Sequence, residues 1–140
     1  MIHKLRLFIR LSPRRRYLVV VTLLLSIYTS FVLRKSKNSM SFGKKNLSMK
    51  EDPKEALVVG DIAFAIRTIS KYVPWENKCR HQAYQAKLLL SCYKIPCQIF
   101  VGFKTNEDHT VEGHAWTMAQ GKMVSGLCDP AEYKILTVYS

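Results

Sequence analysis

The feature that most constrains this chain is a change of hydrophobic period at Pro96. Before it, apolar residues recur every three or four positions: Leu57 or Val58, Ile62, Ala65 or Ile66 and Ile69 mark an amphipathic helix over Glu55 to Tyr72, ended by Pro74. Asn77 to Tyr93 forms a second, with Asn77 as N-cap, an inward stripe of Ala83, Ala86, Leu89 and Leu90, and Pro96 as its stop. After Pro96 the period falls to two. CQIFVGF (97–103), VEGHAWTM (111–118) and KMVS (122–125) read as strands, joined by the polar turn 105–110 and a three-residue loop Ala119-Gln120-Gly121. Two helices followed by antiparallel strands make an α+β fold, with the helices packed on one small sheet.

Residues Tyr17 to Leu33 contain no charge and are bracketed by Arg14, Arg15 and Arg16 before and by Arg34, Lys35 and Lys37 after. Seventeen helical residues span about 25 Å, just short of a hydrocarbon core. The segment reads as an anchor or interfacial helix, or equally as a helix packed on the rest of the protein. The triple Arg favours a cytoplasmic N-terminus if it inserts. Residues 35–54, rich in Ser, Lys and Asn, read as linker. The expected organisation is a basic, apolar N-terminal helix (1–34), that linker, and a folded domain over 55–140.

Of the net charge of +12, residues 1–55 carry 13 Lys/Arg against 3 Asp/Glu, and residues 56–140 carry 9 against 7. The basic excess belongs to the N-terminal appendage and flanks an apolar run rather than interleaving with stacking aromatics, which argues against nucleic acid as a partner. Cys79, Cys92, Cys97 and Cys128 form no CxxC pair and lack zinc-ligand spacing. With no cleavable secretory signal, the thiols read as reduced and the protein as intracellular.

Cys79 stands at the start of the second helix, where unpaired backbone N–H groups and the helix dipole favour a thiolate. His114, in Gly-His-Ala-Trp on a strand, can serve as its base. Read alone, Cys79 is as well a small buried hydrophobe and His114 a satisfied core histidine. His81, two positions beyond Cys79, points about 200° around the helix. His109 lies in a solvated turn, and Trp75 and Trp116 line the cleft or fill the core. Cys92, Cys97 and Cys128 are expected to pack as small hydrophobes.

The ordered set Pro74-Trp75-Glu76-Asn77-Lys78-Cys79, Ala83, Ala86-Lys87-Leu88-Leu89, Ile95-Pro96, Val101-Gly102 and Gly113-His114-Ala115-Trp116 resembles the transglutaminase-like cysteine proteases of lasso-peptide biosynthesis, the microcin-processing B-type proteins, in their stand-alone form. The match covers roughly residues 60–140. The resemblance implies a reduced papain-like or transglutaminase-like core and removal of the leader from a ribosomally made precursor, with Cys79 as nucleophile and His114 as base. It also implies a small leader-binding protein and a lasso cyclase as partners, because little chain precedes residue 60. No cofactor is intrinsic: the chain has no Gly-rich phosphate cradle, so any ATP dependence falls to the cyclase. The expected location is the cytoplasm, either free or held on the inner face of the cell membrane. Transglutaminase-like acyl transfer and a non-catalytic scaffold are the alternatives.

The third catalytic member departs from the pattern. A three-residue loop pairs Met118 with Lys122 and sets His114 opposite Gly126, where relatives with a complete triad carry an aspartate. The orienting group is then Asp129, a backbone carbonyl, or none. Asp129 before Pro130 is equally a turn starter.

Overall fold

The computed structural model describes residues 8–35 and 52–140. Three helices, α1 (Pro13–Lys35), α2 (Pro53–Tyr72) and α3 (Cys79–Cys92), pack on a four-stranded antiparallel sheet of β1 (Gln98–Thr105), β2 (Val111–Ala119), β3 (Lys122–Ser125) and β4 (Lys134–Tyr139), in spatial order β3-β2-β1-β4. The α+β layering expected from the change of period is present. The linker expected over 35–54 lies mostly outside the described residues.

The start of α2 carries its own signals: the Asp52 side chain accepts from Lys54 N, Pro53 occupies the first turn, and Glu55 complements the dipole. Its stripe Val59, Ile62, Ala65, Ile66 and Ile69 is buried. It meets Leu18 and Val19 of α1 and Ala86, Leu89 and Leu90 of α3 in one core, closed on the sheet side by Cys97, Ala119 and Val124. Thus α1 is a wall of the folded domain. Asp61 on α2 fastens it: the buried carboxylate receives Arg14 at 2.5 Å and Arg15 at 2.6 Å. Burial alone would raise this carboxyl, but the hydrogen bonds and charges of the two guanidinium groups outweigh it and hold the group below the usual range.

α3 starts at Cys79, not at Asn77. Asn77 is no N-cap: its carbonyl and its Oδ1 instead accept from Gln82 and Gln85 inside the helix. The helix is stopped by Lys94 in the left-handed region (φ 57°), where Lys94 N and Ile95 N return to the carbonyls of Ser91 and Leu90 before Pro96 is reached.

The β2–β3 hairpin also differs from its expected register. Ala119 pairs with Lys122 around a two-residue loop, in which Gln120 and Gly121 both have positive φ. A bulge follows, so Thr117 pairs with Ser125 while Met118 pairs with Met123. The Gln120 side chain explains the choice of residue: its Oε1 accepts from Asp52 N and its Nε2 donates to Glu55, tying the hairpin tip to the start of α2. β4, absent from the sequence reading, adds to the outer edge of β1, with Ile99 opposite Tyr139 and a shift at Val101/Gly102.

Candidate active site

Alternation along a strand sends successive side chains to opposite faces. On the helix-facing side of the sheet, Ile99 and Ala115 are buried with Ala83 of α3, and Cys79, Tyr84, Val101 and Tyr139 pack against them. Cys79 therefore sits half-buried where the first turn of α3 meets β1 and β2. Among the described residues no side chain caps this start, so backbone N–H groups of the first turn remain open to an acceptor beside Cys79.

The register that places Ala115 toward α3 turns His114 and Trp116 to the outer face. There the rings of Phe100 and Trp116 stack at 5.5 Å, and Tyr133 tilts against both His114 (5.3 Å) and Trp116 (5.7 Å). Gly102, opposite His114, leaves room for this stack: a Cβ there would lie 3.3 Å from the Trp116 ring and 2.8 Å from Lys134 O. Burial of Trp116 is thus an outer-face event. It depends on the connection from β3 to β4, whose residues 126–133 cross that face.

The same connection supplies the histidine's partner. His114 Nε2 lies 2.9 Å from Gly126 O. A carbonyl only accepts, so Nε2 carries the proton and Nδ1 of the neutral ring keeps its lone pair. Gly126 can come this close because it has φ 66° and no side chain; a Cβ would overlap Ala115 O. Because of the bulge, Gly126 stands beside Ala115 and Trp116 rather than opposite His114, and only its carbonyl reaches back to the ring.

Asp129 sits elsewhere. Its Oδ1 accepts from Ala131 N at 3.0 Å and starts the short 3-10 turn Pro130–Glu132, the turn-starting use that its Asp-Pro context also suggests. Cys128, beside it, has its thiol held above the usual range by burial, then by Asp129 and Glu132, with Cys79 adding to the effect. The structure does not bring Cys79 and His114 together: Cys79 packs on the helix side of the sheet, His114 lies on its outer face, and no hydrogen bond joins them among the described residues. Of the other cysteines, Cys97 is buried, and burial pushes its thiol up, whereas Cys92 is exposed and does not pack as a small hydrophobe.

On the opposite side of the α3 start, a cavity of about 310 Å³ is lined by Ser30, Leu33, Pro74, Trp75, Arg80 and His81, with Glu76 at its rim. His81 is buried, its Nδ1 has no hydrogen-bond partner among the described residues, and burial, aided by Arg80 and Lys78, pushes its pKa down against the pull of Glu76. Trp75 Nε1 donates to Ser26 and Gln85 Nε2 donates to Thr29, so the segment leading into Cys79 is braced on α1. The sequence points to Cys79 and His114 and not to Tyr133 or to this bracing. The latter two depend on chain crossings that no local period reports.

A transglutaminase-like superfamily model matches residues 23–138, which takes in most of α1, the other two helices and the whole sheet. The chain belongs to the transglutaminase-like superfamily. This membership brings with it a cysteine chemistry of the peptidase or acyltransferase kind. It also accounts for α1 as domain structure, since the matched region begins inside that helix. No curated protein and no solved structure matches the chain.

Proposed function

We propose that this transglutaminase-like protein is a thiol peptidase that removes the leader from a lasso-peptide precursor, with Cys79 as nucleophile and His114 as base. The observation that carries the reading is Cys79 at the uncapped first turn of α3, packed against the helix-facing side of β2 at Ala115, whose neighbour His114 lies on the outer face. Cys79 gives its proton to the His114 Nδ1 lone pair, and its sulfur attacks the acyl carbon of the scissile amide. The imidazolium protonates the leaving amine, a thioester remains on Cys79, and water activated by the same ring hydrolyses it. The Gly126 carbonyl takes the place of a triad carboxylate: it fixes ring and tautomer but supplies no negative charge for the imidazolium, so the chemistry is slower than that of a full triad. Cys79 and His114 lie on opposite faces of β2 in this structure, so the reaction requires substrate binding to turn this end of β2, together with the Gly126 carbonyl that holds the ring, until the imidazole meets the sulfur.

A small leader-binding protein presents the precursor, and a cyclase closes the ring on the product. The test is precursor processing by the wild-type chain and by Cys79→Ala in the presence of those two proteins, read by mass spectrometry. The expected result is a leader and core that together gain one water, with at least about a thousand-fold loss in the variant. Unchanged processing by Cys79→Ala would end the thiol reading. A product joined to an amine without gain of water would replace hydrolysis by acyl transfer.

A further inference from the structure

The outward face of α1 is at odds with a helix that serves only as a wall of the domain. Its inward face carries Leu18, Thr22, Ser26, Thr29 and Leu33, all buried, with hydroxyls bonded to the helix's own carbonyls, to Trp75 and to Gln85. The outward face carries the large apolar side chains Tyr17, Val20, Leu24, Ile27, Tyr28 and Phe31, with Tyr17, Leu24 and Phe31 more than 60% exposed. At 100° per residue these six fall within an arc of about 100°, a continuous stripe along four turns. Such a stripe is too large to be scattered surface hydrophobes.

The charge around the stripe indicates its occupant. Residues 1–50 contain no Asp or Glu and 12 Lys/Arg. Arg14 and Arg15 are engaged by Asp61, while Arg10 and Arg16, near the start of the stripe, have no acidic partner among the described residues. Beyond its other end the sequence continues Arg34-Lys35-Ser36-Lys37. A second copy of this face would bring like charges together at both ends. An anionic surface neutralises them, and tyrosines in the stripe suit the boundary between headgroups and acyl chains.

We propose that the outward face of α1 docks the domain on an anionic lipid bilayer, the helix lying in the interface plane. Crossing the bilayer is a different arrangement: it would strip α1 from Val59, Ile62, Ile66 and Leu90 and take Ser26 and Thr29 from Trp75 and Gln85. The inference does not depend on the chemistry at Cys79.

Co-sedimentation of the full chain with phosphatidylcholine vesicles, with and without phosphatidylglycerol, tests it. Binding is expected to the anionic vesicles and to weaken in high salt. Leu24→Ser with Phe31→Ser, both at exposed positions, is expected to keep the melting temperature and lose at least about tenfold in partitioning. Replacing Arg10 and Arg16 by Gln is expected to cost about fivefold for each charge. Three results would each overturn the proposal: no binding to anionic vesicles, binding unaffected by the serine pair, or resistance to alkaline extraction as for a spanning helix. So would a dimer in light scattering that the serine pair dissolves, since the face would then be covered by a second copy.

Discussion

Gly126 is the position at which replacing one hydrogen by a methyl group should do most damage for its size. In Gly126→Ala, the left-handed backbone (φ 66°) costs about 1–2 kcal/mol. The new Cβ would overlap Ala115 O and lie 2.9 Å from Trp116 Cα; both belong to the backbone of β2, so no rotamer change relieves the contact. The end of β3 must then move outward. That movement breaks the bond from His114 to Gly126 O and strains the one from Ser125 to Thr117, each worth about 1 kcal/mol. The sum, about 3–4 kcal/mol, is a large share of the ~5–15 kcal/mol that holds a domain folded. At about 4 °C per kcal/mol, the melting temperature should drop by about 12–16 °C. Gly126→Asp, the substitution that would seem to restore a triad, carries the same Cβ and should be no more stable. Gly113→Ala is the control: nothing lies within 4 Å of its Cβ, and a change within about 1 kcal/mol is expected. Thermal unfolding by circular dichroism reads all three. A Gly126→Ala protein that melts within a few degrees of wild type would refute the close approach and, with it, the reason a carbonyl holds His114.

Asp129→Ala should lose the cap of the Pro130–Glu132 turn, costing about 1 kcal/mol, yet leave the His114 tautomer unchanged in nitrogen-15 NMR; a switch of tautomer would show that Asp129 orients the ring. Asp61 is expected to shape acid stability: its folded pKa lies below the unfolded one, so its stabilisation is complete above about pH 4 and is lost as pH falls through the folded value. Asp61→Asn should flatten urea stability over that acid range and cost about 2–4 kcal/mol at neutral pH, whereas an unchanged acid profile would contradict the clamp. Iodoacetamide mapping under native conditions should label exposed Cys92 quickly and buried Cys97 only after unfolding; early labelling of Cys97 would mean that the core opens near the α3 C-terminus.

What was legible in the sequence was periodic. The stripes of α2 and α3, the alternation in β1 and β2 and the position of Cys79 at a helix start all follow from side-chain spacing, and the structure places them accordingly. What was not legible depended on long-range exchange of polar partners. Asn77 reads as a cap but serves Gln82 and Gln85 inside α3. The hairpin count failed by one residue because Gln at a left-handed turn position is unfavourable locally and is held there by Asp52 and Glu55, far away in sequence. KILTVY is rich in β-formers, yet β4 is missing from the sequence expectation, and its pairing with β1 follows from the 126–133 crossing that no local pattern reports. Residues 17–33 read as anchor or packed helix from composition; only burial residue by residue separates the hydroxyl face from the apolar one.

The Gln120 amide makes the hairpin tip and the entry of α2 a single mechanical unit. Asp52 and Glu55 through Gln120, and Ala56 through Lys122, make the first turn of α2 and the end of β2 move as one body, so a displacement of that turn shifts the hairpin with it.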